Sequence, residues 1–131
     1  MGRNSPTFYR FEEVARLAEP GDNVAIAVRR LEAGSKLQYG SQELHLAHTL
    51  LEGHRFAVQP VARGAALLSW GLPFGFALCD IQPGGYVINA GTLEALRLRA
   101  IDFLLPTVPN FEDRIPVYHL DEALFLPSAP L

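Results

Sequence analysis

One spaced pattern occurs three times in this chain, and it constrains the fold more than any other feature of the sequence. In each copy an apolar residue is followed at intervals of three by a second apolar residue, a glycine and a further apolar residue. The copies are Val28-Leu31-Gly34-Leu37, Val58-Val61-Gly64-Leu67 and Leu78-Ile81-Gly84-Val87. Each copy follows a run of strand-forming residues, which indicates one structural device used three times.

The pattern predicts a corner between two strands. Glycine supplies a backbone conformation that a side chain would oppose, and a new strand then begins two or three positions later. Pro83 directly before Gly84 strengthens the turn prediction for the third copy. We therefore expect the three glycines at strand ends, and a core that includes Val28, Val58, Leu78, Ile81 and Val87.

Composition excludes several classes of function. The 131 residues are enough for a single domain with a sizeable core. The chain has 11 basic and 14 acidic residues without a basic cluster, which disfavours nucleic acid as a partner. The single cysteine, Cys79, excludes an internal disulfide, and its apolar strand context predicts a buried, inert thiol. No run of residues resembles a membrane span or a signal peptide, so we expect a cytoplasmic protein with no membrane partner.

The chain divides into three predicted segments. Residues 1–20 form a lead-in with a short helix, for which Thr7 is the candidate cap. Residues 21–91 form a β domain, with strands predicted at residues 24–29, 36–38, 43–46, 55–59, 65–70, 76–80 and 86–89.

Residues 92–131 form a C-terminal extension rich in proline and aromatic residues. After Gly91 the pattern fits both a helix capped by Thr92 and a strand, and we favour a helical turn followed by an extended segment. From Pro106 onward the prolines oppose long packed elements, while the aromatic residues from Phe111 to Phe125 oppose disorder. This composition predicts a tail that wraps its own domain or a partner.

The segments DNVAIAVRRLEAG, EGHRFAVQPVARG and WGLPFGFALCDIQPGGYV resemble the small N-terminal domain of the altronate and galactarate dehydratase family. The resemblance covers residues 21–89. Its motifs are the opening Asp22-Asn23-Val24-Ala25, Gly53-His54 at the family's Gly-His-Lys, and Gly71 and Gly75 at its Tyr-Gly…Ile-Gly signature. Arg55 takes the place of the family's lysine, and Trp70 takes the place of its tyrosine.

The resemblance implies a fold and a function. The family's domain is of the SAF type, a β-clip fold also seen in type III antifreeze proteins and sialic acid synthases. An all-β fold of short bent strands with minor helical turns is therefore expected. The implied activity is dehydration of sugar acids such as altronate or galactarate, or desulfonation of sulfolactate in a related two-subunit lyase. In the family a large domain or subunit holds most of the active site and a divalent metal. We accordingly expect a large catalytic partner, with iron or manganese there and no cofactor in this chain.

His54 is the candidate catalytic residue. The family's small domain contributes one histidine from the Gly-His-Lys motif and others from a His-x-His-Asn motif after the last glycine. Ile88 and Ala90 stand where the second motif has its histidines, so His54 alone remains. Its place at a turn after Gly53 also suits a side chain that projects into a cleft, although a turn histidine bonded to backbone fits the sequence equally well.

Arg55 and Asn89 are the candidate substrate-binding residues. A guanidinium group can hold a carboxylate, and Asn89 lies in the segment where the family places its second motif. Trp70 has two interpretations, a core residue or a lid over a small ligand, and the core interpretation is the more frequent outcome for such a residue.

The remaining polar candidates have structural explanations. His45 and His48 lie near His54 in sequence, but on a strand they would point to opposite faces, which disfavours a metal site. Asp22, Asp80 and Asp102 are isolated acids near turns, where capping is the usual role.

Two functional hypotheses stay open. In the first, the chain is a small subunit or accessory domain that completes an active site held by a large dehydratase-type subunit. In the second, it is a non-catalytic SAF module that binds a small acid, a sugar or a protein. A self-contained enzyme is disfavoured because one histidine without an acid–base partner is too little for the elimination of water. The apolar fraction of 49% and the unpaired edges of short strands predict a homo-oligomer, most simply a dimer.

Overall fold

The computed structural model describes residues 7–99 and 104–113. In order, its elements are β1 (Phe8–Arg10), α1 (Phe11–Val14), β2 (Ala15–Arg16), β3 (Val24–Ala27), β4 (Lys36–Tyr39), β5 (Gln42–His45), β6 (Arg55–Ala57), β7 (Ala66–Ser69), β8 (Leu72–Ala77), β9 (Tyr86–Val87), α2 (Ala90–Leu98) and β10 (Phe111–Asp113). The strands form three sheets, ordered β1-β4-β5, β10-β8-β7 and β2-β3-β6-β9. Because every strand is short and helix is confined to two segments of the described chain, the all-β prediction is confirmed.

Each copy of the repeated pattern carries the chain from one sheet to another. The first links β3 to β4, the second β6 to β7, and the third β8 to β9. Each contains a four-residue turn whose last N–H donates to its first carbonyl, at 3.1, 2.9 and 2.8 Å. Gly34, Gly64 and Gly84 occupy the third position with φ of 92°, 85° and 92°, as a type II turn requires. The predicted glycine corners are confirmed, and we call them the Gly34, Gly64 and Gly84 corners.

The predicted core is right at three positions and wrong at two. Val58, Ile81 and Val87 are buried, whereas Val28 and Leu78 are 38% and 44% exposed. The two exposed residues come directly after the last residues of β3 and β8, where the chain bends toward the corner. The inward alternation of the strand therefore ends before it reaches them.

The core consists of two packed clusters on either side of the four-stranded sheet. The larger surrounds Phe56 on β6 and includes Leu37, Leu44 and residues of α2. The smaller contains Val24, Leu67 and Ile81 together with Phe111 from β10. Because Arg55 and Phe56 are neighbours on β6, the sheet that holds the larger cluster also positions the predicted site.

The N-terminal helix prediction is wrong in extent. Residues Phe8–Arg10 form β1, which pairs in parallel with β4, and only one helical turn follows. The Glu13 side chain accepts the Arg10 N–H at 3.1 Å, so the turn is capped at Arg10 and not at Thr7. Phe11 and Val14 are buried in the larger cluster, and their spacing produced the helical signal.

The described part of the C-terminal extension packs on the domain. The helix predicted after Gly91 is present as α2, but its N-cap is Asn89, whose Oδ1 accepts the Thr92 N–H at 2.8 Å, and not Thr92. Strand β10 pairs antiparallel with β8, so this segment wraps its own domain as one of the two expected arrangements. The expectations for Asp102 and for residues 114–131 lie outside the described residues.

Candidate ligand-binding cleft

An open cleft of about 960 Å³ lies beside the turn that precedes β6, and we call it the His54 cleft. It brings together all three residues that the sequence analysis selected, His54, Arg55 and Asn89. Its walls come from the turn before β6, the β7–β8 hairpin, the start of α2 and β10, and the lining residues are Gly53, His54, Arg55, Ser69, Trp70, Leu72, Pro73, Phe74, Val87, Ile88, Asn89, Thr92, Phe111 and Asp113.

His54 is fixed in place through its backbone. Its N–H donates to the Leu51 carbonyl at 3.0 Å, which closes a turn in which Gly53 has φ of 86°. Its own carbonyl accepts the Ala27 N–H at 2.9 Å, and the Gly53 N–H donates to the Ala27 carbonyl at 2.8 Å. Gly53 and His54 are therefore each tied to β3 by one backbone hydrogen bond, and the His54 side chain leaves the turn at a fixed point on the cleft wall.

The His54 ring makes a direct contact with Tyr86 of β9. Its Nδ1 lies 2.7 Å from the phenol oxygen, and the ring centroids are 5.8 Å apart at 73°. Burial lowers the pKa of His54, and the positive charges of Arg55 and Arg99 lower it further. The imidazole is therefore neutral at neutral pH. Burial also raises the pKa of Tyr86 to about 12, so the phenol stays protonated.

Arg55 presents a cation to the cleft without a carboxylate partner among the described residues. Its guanidinium carbon lies 4.9 Å from the centre of the Phe74 ring, a cation–π contact that holds the side chain along the wall. Its Nε is buried and has no hydrogen-bond partner in the described chain, and the same is true of the Ser69 Oγ. Both atoms are therefore available to a ligand oxygen or a water in the cleft.

Asn89 links two walls of the cleft. Its Oδ1 caps α2, while its Nδ2 lies 3.1 and 3.3 Å from the two carboxylate oxygens of Asp113 on β10. The structure thus gives this residue a structural role as well as a place on the cleft, and its predicted role in substrate binding stays a prediction.

Trp70 forms the rim of the cleft, and the core interpretation is wrong. The side chain is 64% exposed and the backbone has φ of 60°, a conformation rare for a residue with a side chain. Trp70 and Gly71 are the two turn residues of the β7–β8 hairpin, and both have positive φ, as a type I′ turn requires.

The buried carboxylate of Asp22 holds this turn. It accepts the N–H groups of Trp70 and Gly71 at 2.9 and 2.8 Å, and that of Glu19 at 3.0 Å. Asp22 is 2% exposed, so the acceptor of these charge-assisted bonds is buried. The capping role predicted for Asp22 is confirmed, and its effect is to place the rim of the cleft.

Other candidates lie away from the cleft. His45 is exposed and lies 3.0 Å from Glu43, and Asp80 caps a turn by accepting the Arg63 N–H at 2.9 Å. Cys79 is exposed, which corrects the expectation of a buried thiol, because it lies in the bend after β8 and not within the strand. Within residues 7–99 and 104–113, His, Cys, Asp and Glu side chains nowhere form a group of three or more that would hold a metal.

Three residues that line the cleft or contact its lining were not predicted from the sequence. Tyr86 carried no functional signal because it sits in a short apolar strand like many core tyrosines. Ser69 and Asp113 reach the cleft only through the pairing of β7 and β10 with β8, which no local pattern specifies. Asp113 was further hidden by the proline-rich composition of its surroundings.

Fold and cleft together define an all-β domain of the β-clip type that offers a histidine, an arginine and an aromatic rim on one side. A family model described as the altronate/galactarate dehydratase SAF domain matches residues 15–93, and the chain belongs to this family.

Two altronate dehydratases are similar to this chain. The chain is 39% identical over 66 residues to an altronate dehydratase of Escherichia coli K12. It is 27% identical over 66 residues to an altronate dehydratase of Bacillus subtilis 168. Each match covers 50% of this chain but only 13% of the relative, so the chain corresponds to a small part of those enzymes. Neither described helix has the length and apolar character needed to cross a bilayer.

Proposed function

We propose that this chain is the accessory SAF module of a sugar-acid dehydratase, and that it completes an active site held mainly by a larger catalytic domain or subunit. Two altronate dehydratases contain a segment similar to it, and in each that segment is a small fraction of the whole enzyme. The chemistry of elimination is therefore assigned to the larger part, and this chain contributes groups at the edge of the substrate site.

The observation that carries the proposal is the convergence of His54, Arg55 and Asn89 on one open cleft. The cleft is open to solvent, which suits a site that a second domain closes. Sugar acids combine a carboxylate with several hydroxyl groups. Arg55 offers a cation for the carboxylate, and the unpaired Ser69 hydroxyl and Arg55 Nε offer polar atoms for a ligand oxygen or a bridging water.

His54 is the group proposed to act on the substrate. A neutral imidazole near neutral pH can form a hydrogen bond with a substrate oxygen through its free ring nitrogen. Burial and, to a smaller extent, the cationic Arg55 beside it lower the pKa of His54 and so favour the neutral ring. Trp70 adds an apolar rim against which the C–H faces of the carbon chain can pack.

A divalent metal is assigned to the large catalytic part. The described residues of this chain supply no group of metal ligands, so we derive no step of the reaction from a metal held here. On this proposal, His54 is contributed by this chain to an active site whose metal would be held by the larger catalytic domain or subunit.

Reconstitution tests the proposal. The catalytic part of an altronate dehydratase, expressed without its own SAF segment, is mixed with this chain, and altronate dehydration is followed. We expect the rate to rise by about tenfold or more with the wild-type chain, and little rise with His54→Gln. His45→Gln, on an exposed histidine outside the cleft, serves as the matched control.

Two outcomes would contradict the proposal. One is equal stimulation by the wild-type chain and His54→Gln. The other is turnover of altronate, galactarate or sulfolactate by the purified chain alone, with or without added ferrous or manganous ion, because one histidine would then be carrying the whole reaction.

A second candidate function is a non-catalytic SAF module that binds a small acid, a sugar or a protein. The replacement of the family's second histidine motif favours it, since Ile88 is now a buried core residue. Saturable binding of a sugar acid with no stimulation of the catalytic part would select this alternative.

We further propose that the chain forms a homodimer. Exposed strand edges and exposed apolar side chains such as Phe8 and Leu72 support it. Light scattering that shows a monomer, unchanged by removal of residues 114–131, would contradict this arrangement and would leave the cleft proposal unaffected.

A further inference from the structure

The contact between His54 and Tyr86 places two polar side chains in a defined relation at the wall of the cleft. Tyr86 lies on β9, its backbone pairs with Phe56, and it is 2% exposed. Its hydroxyl is 2.7 Å from Nδ1 of His54, and the rings meet edge to face. Because β9 and the turn before β6 are both held by backbone hydrogen bonds, the backbones that carry the two rings are fixed relative to each other.

The direction of this hydrogen bond follows from the partners available to the phenol. A neutral imidazole carries one N–H, and its other nitrogen accepts. Tyr86 is 2% exposed, so its hydroxyl proton needs an acceptor within the protein. Among the described residues, Nδ1 of His54 at 2.7 Å is the acceptor that the structure places beside it.

We propose that Tyr86 is a positioning residue that fixes His54 in the tautomer protonated at Nε2, so that the ring offers an N–H donor to whatever oxygen enters the cleft. The geometry carries this assignment. Nδ1 is occupied by Tyr86, and Nε2 is the ring nitrogen left for a ligand. The role of Nε2–H as a donor to a ligand rests on the proposed function, because it requires a ligand in the cleft. The tautomer of His54 is a property of the ligand-free protein.

The charges around the pair agree with a donor role. Arg55 and Arg99 are the cations that act on His54, and the cleft carboxylate of Asp113 is held by Asn89. An N–H donor on a neutral ring, next to a cation, suits a ligand oxygen that bears negative charge. In the other tautomer Nε2 would carry a lone pair in place of the proton, and it would accept a hydrogen bond from a ligand hydroxyl. The tautomer therefore decides which kind of ligand atom binds to His54.

Nitrogen NMR of the ligand-free chain tests the proposal. Long-range proton–nitrogen correlations in ¹⁵N-labelled protein identify which nitrogen of His54 carries the proton. We expect Nε2–H to predominate in the wild type above the pKa of the ring. In Tyr86→Phe, which keeps the buried ring and removes the hydroxyl, the ratio of Nε2–H to Nδ1–H tautomer should fall by about 2- to 10-fold, the equilibrium effect of one ordinary hydrogen bond.

Tyr39→Phe is the matched control, since it removes a phenol hydroxyl from a residue that packs on the same core cluster against Phe11 and not against a histidine. It should leave the His54 tautomer unchanged. A wild-type spectrum dominated by Nδ1–H would overturn the proposal without any variant, and so would an unchanged ratio in a folded Tyr86→Phe. Because no ligand enters the measurement, its outcome is separate from that of the reconstitution assay.

Discussion

The Gly34 and Gly84 corners have the same local structure and very different surroundings. Both glycines sit at the third position of a turn and both have φ of 92°. A Cβ built on Gly34 would meet no atom within 4 Å, whereas one built on Gly84 would overlap the carbonyl oxygen of His45 and lie 3.0 Å from its carbonyl carbon. The third corner is therefore packed directly on the end of β5, and the first corner faces open space.

This difference separates two reasons for a glycine. At Gly34 the residue is needed only for its backbone conformation. At Gly84 it is needed also because another chain segment occupies the space of a side chain. The repeated pattern of apolar residues and glycine does not reveal the second reason, since the segment that approaches Gly84 lies about forty positions earlier in the chain.

Alanine at the two corners should produce the largest difference in stability. Gly34→Ala adds only the strain of a side chain at positive φ, so we expect a loss of about 1–2 kcal/mol in the free energy of unfolding. Gly84→Ala adds overlap with backbone to the same strain, and we expect about 3–5 kcal/mol. Chemical denaturation of both variants measures the difference.

Gly64→Ala provides the internal control. Gly64 has φ of 85° and, like Gly34, open space where a Cβ would stand, so its loss should match that of Gly34→Ala. Equal losses at all three corners would show that the packing of Gly84 on His45 contributes nothing.

The next largest loss of stability should come from changing the β7–β8 turn at Trp70 and Gly71, which is not one of the three glycine corners. Trp70 adopts positive φ because the Asp22 carboxylate binds the turn. Asp22→Ala removes the acceptor of three partly buried N–H groups, and we expect a loss of about 1–3 kcal/mol together with a change in the rim of the cleft. Trp70 is the single tryptophan of the chain, so its fluorescence reports that change directly.

Asp22→Asn is the matched variant, because it keeps the shape and one acceptor oxygen. Its fluorescence should lie between those of wild type and Asp22→Ala. A Trp70 spectrum identical in all three proteins would contradict the role of Asp22 in holding the turn.

The smallest effect expected is the dependence of stability on pH. The pKa values of His54 and His48 are lowered from 6.5 in the folded chain, chiefly by burial. A histidine whose pKa is lower when folded binds more protons when unfolded, so stability rises with pH between the lowered value and 6.5. The stability of the wild type should therefore fall as the pH drops below about 6.5.

His54→Gln should make this fall shallower, while the contribution of His48 remains. Denaturation at a series of pH values between neutral and mildly acidic checks both statements. A curve that is flat over this range, or one that His54→Gln leaves unaltered, would contradict the neutral state assigned to His54.

Much of the fold was predictable because its signals are local. The glycine corners need positive φ, the strands alternate, and Gly53 marks the turn that presents His54. The failures at Trp70 and Tyr86 share one cause, which is the approach of distant segments. Trp70 was expected in the core because a tryptophan is usually buried. Its exposed position at the rim depends on Asp22, which lies 48 positions away and gives no local signal. Tyr86 gave no signal because its importance lies in a partner 32 positions earlier in the chain.

The proposal that a sugar acid binds in the cleft beside His54 is tested most directly by NMR titration of the ¹⁵N-labelled chain with galactarate. We expect saturable shifts that cluster on His54, Arg55 and Trp70, with an affinity in the millimolar range of about 1–10 mM because the partner is absent. Arg55→Gln and the neutral polyol galactitol should both weaken the effect. Saturable shifts that cluster on another surface, or no saturable shift anywhere up to about 10 mM, would contradict the proposal.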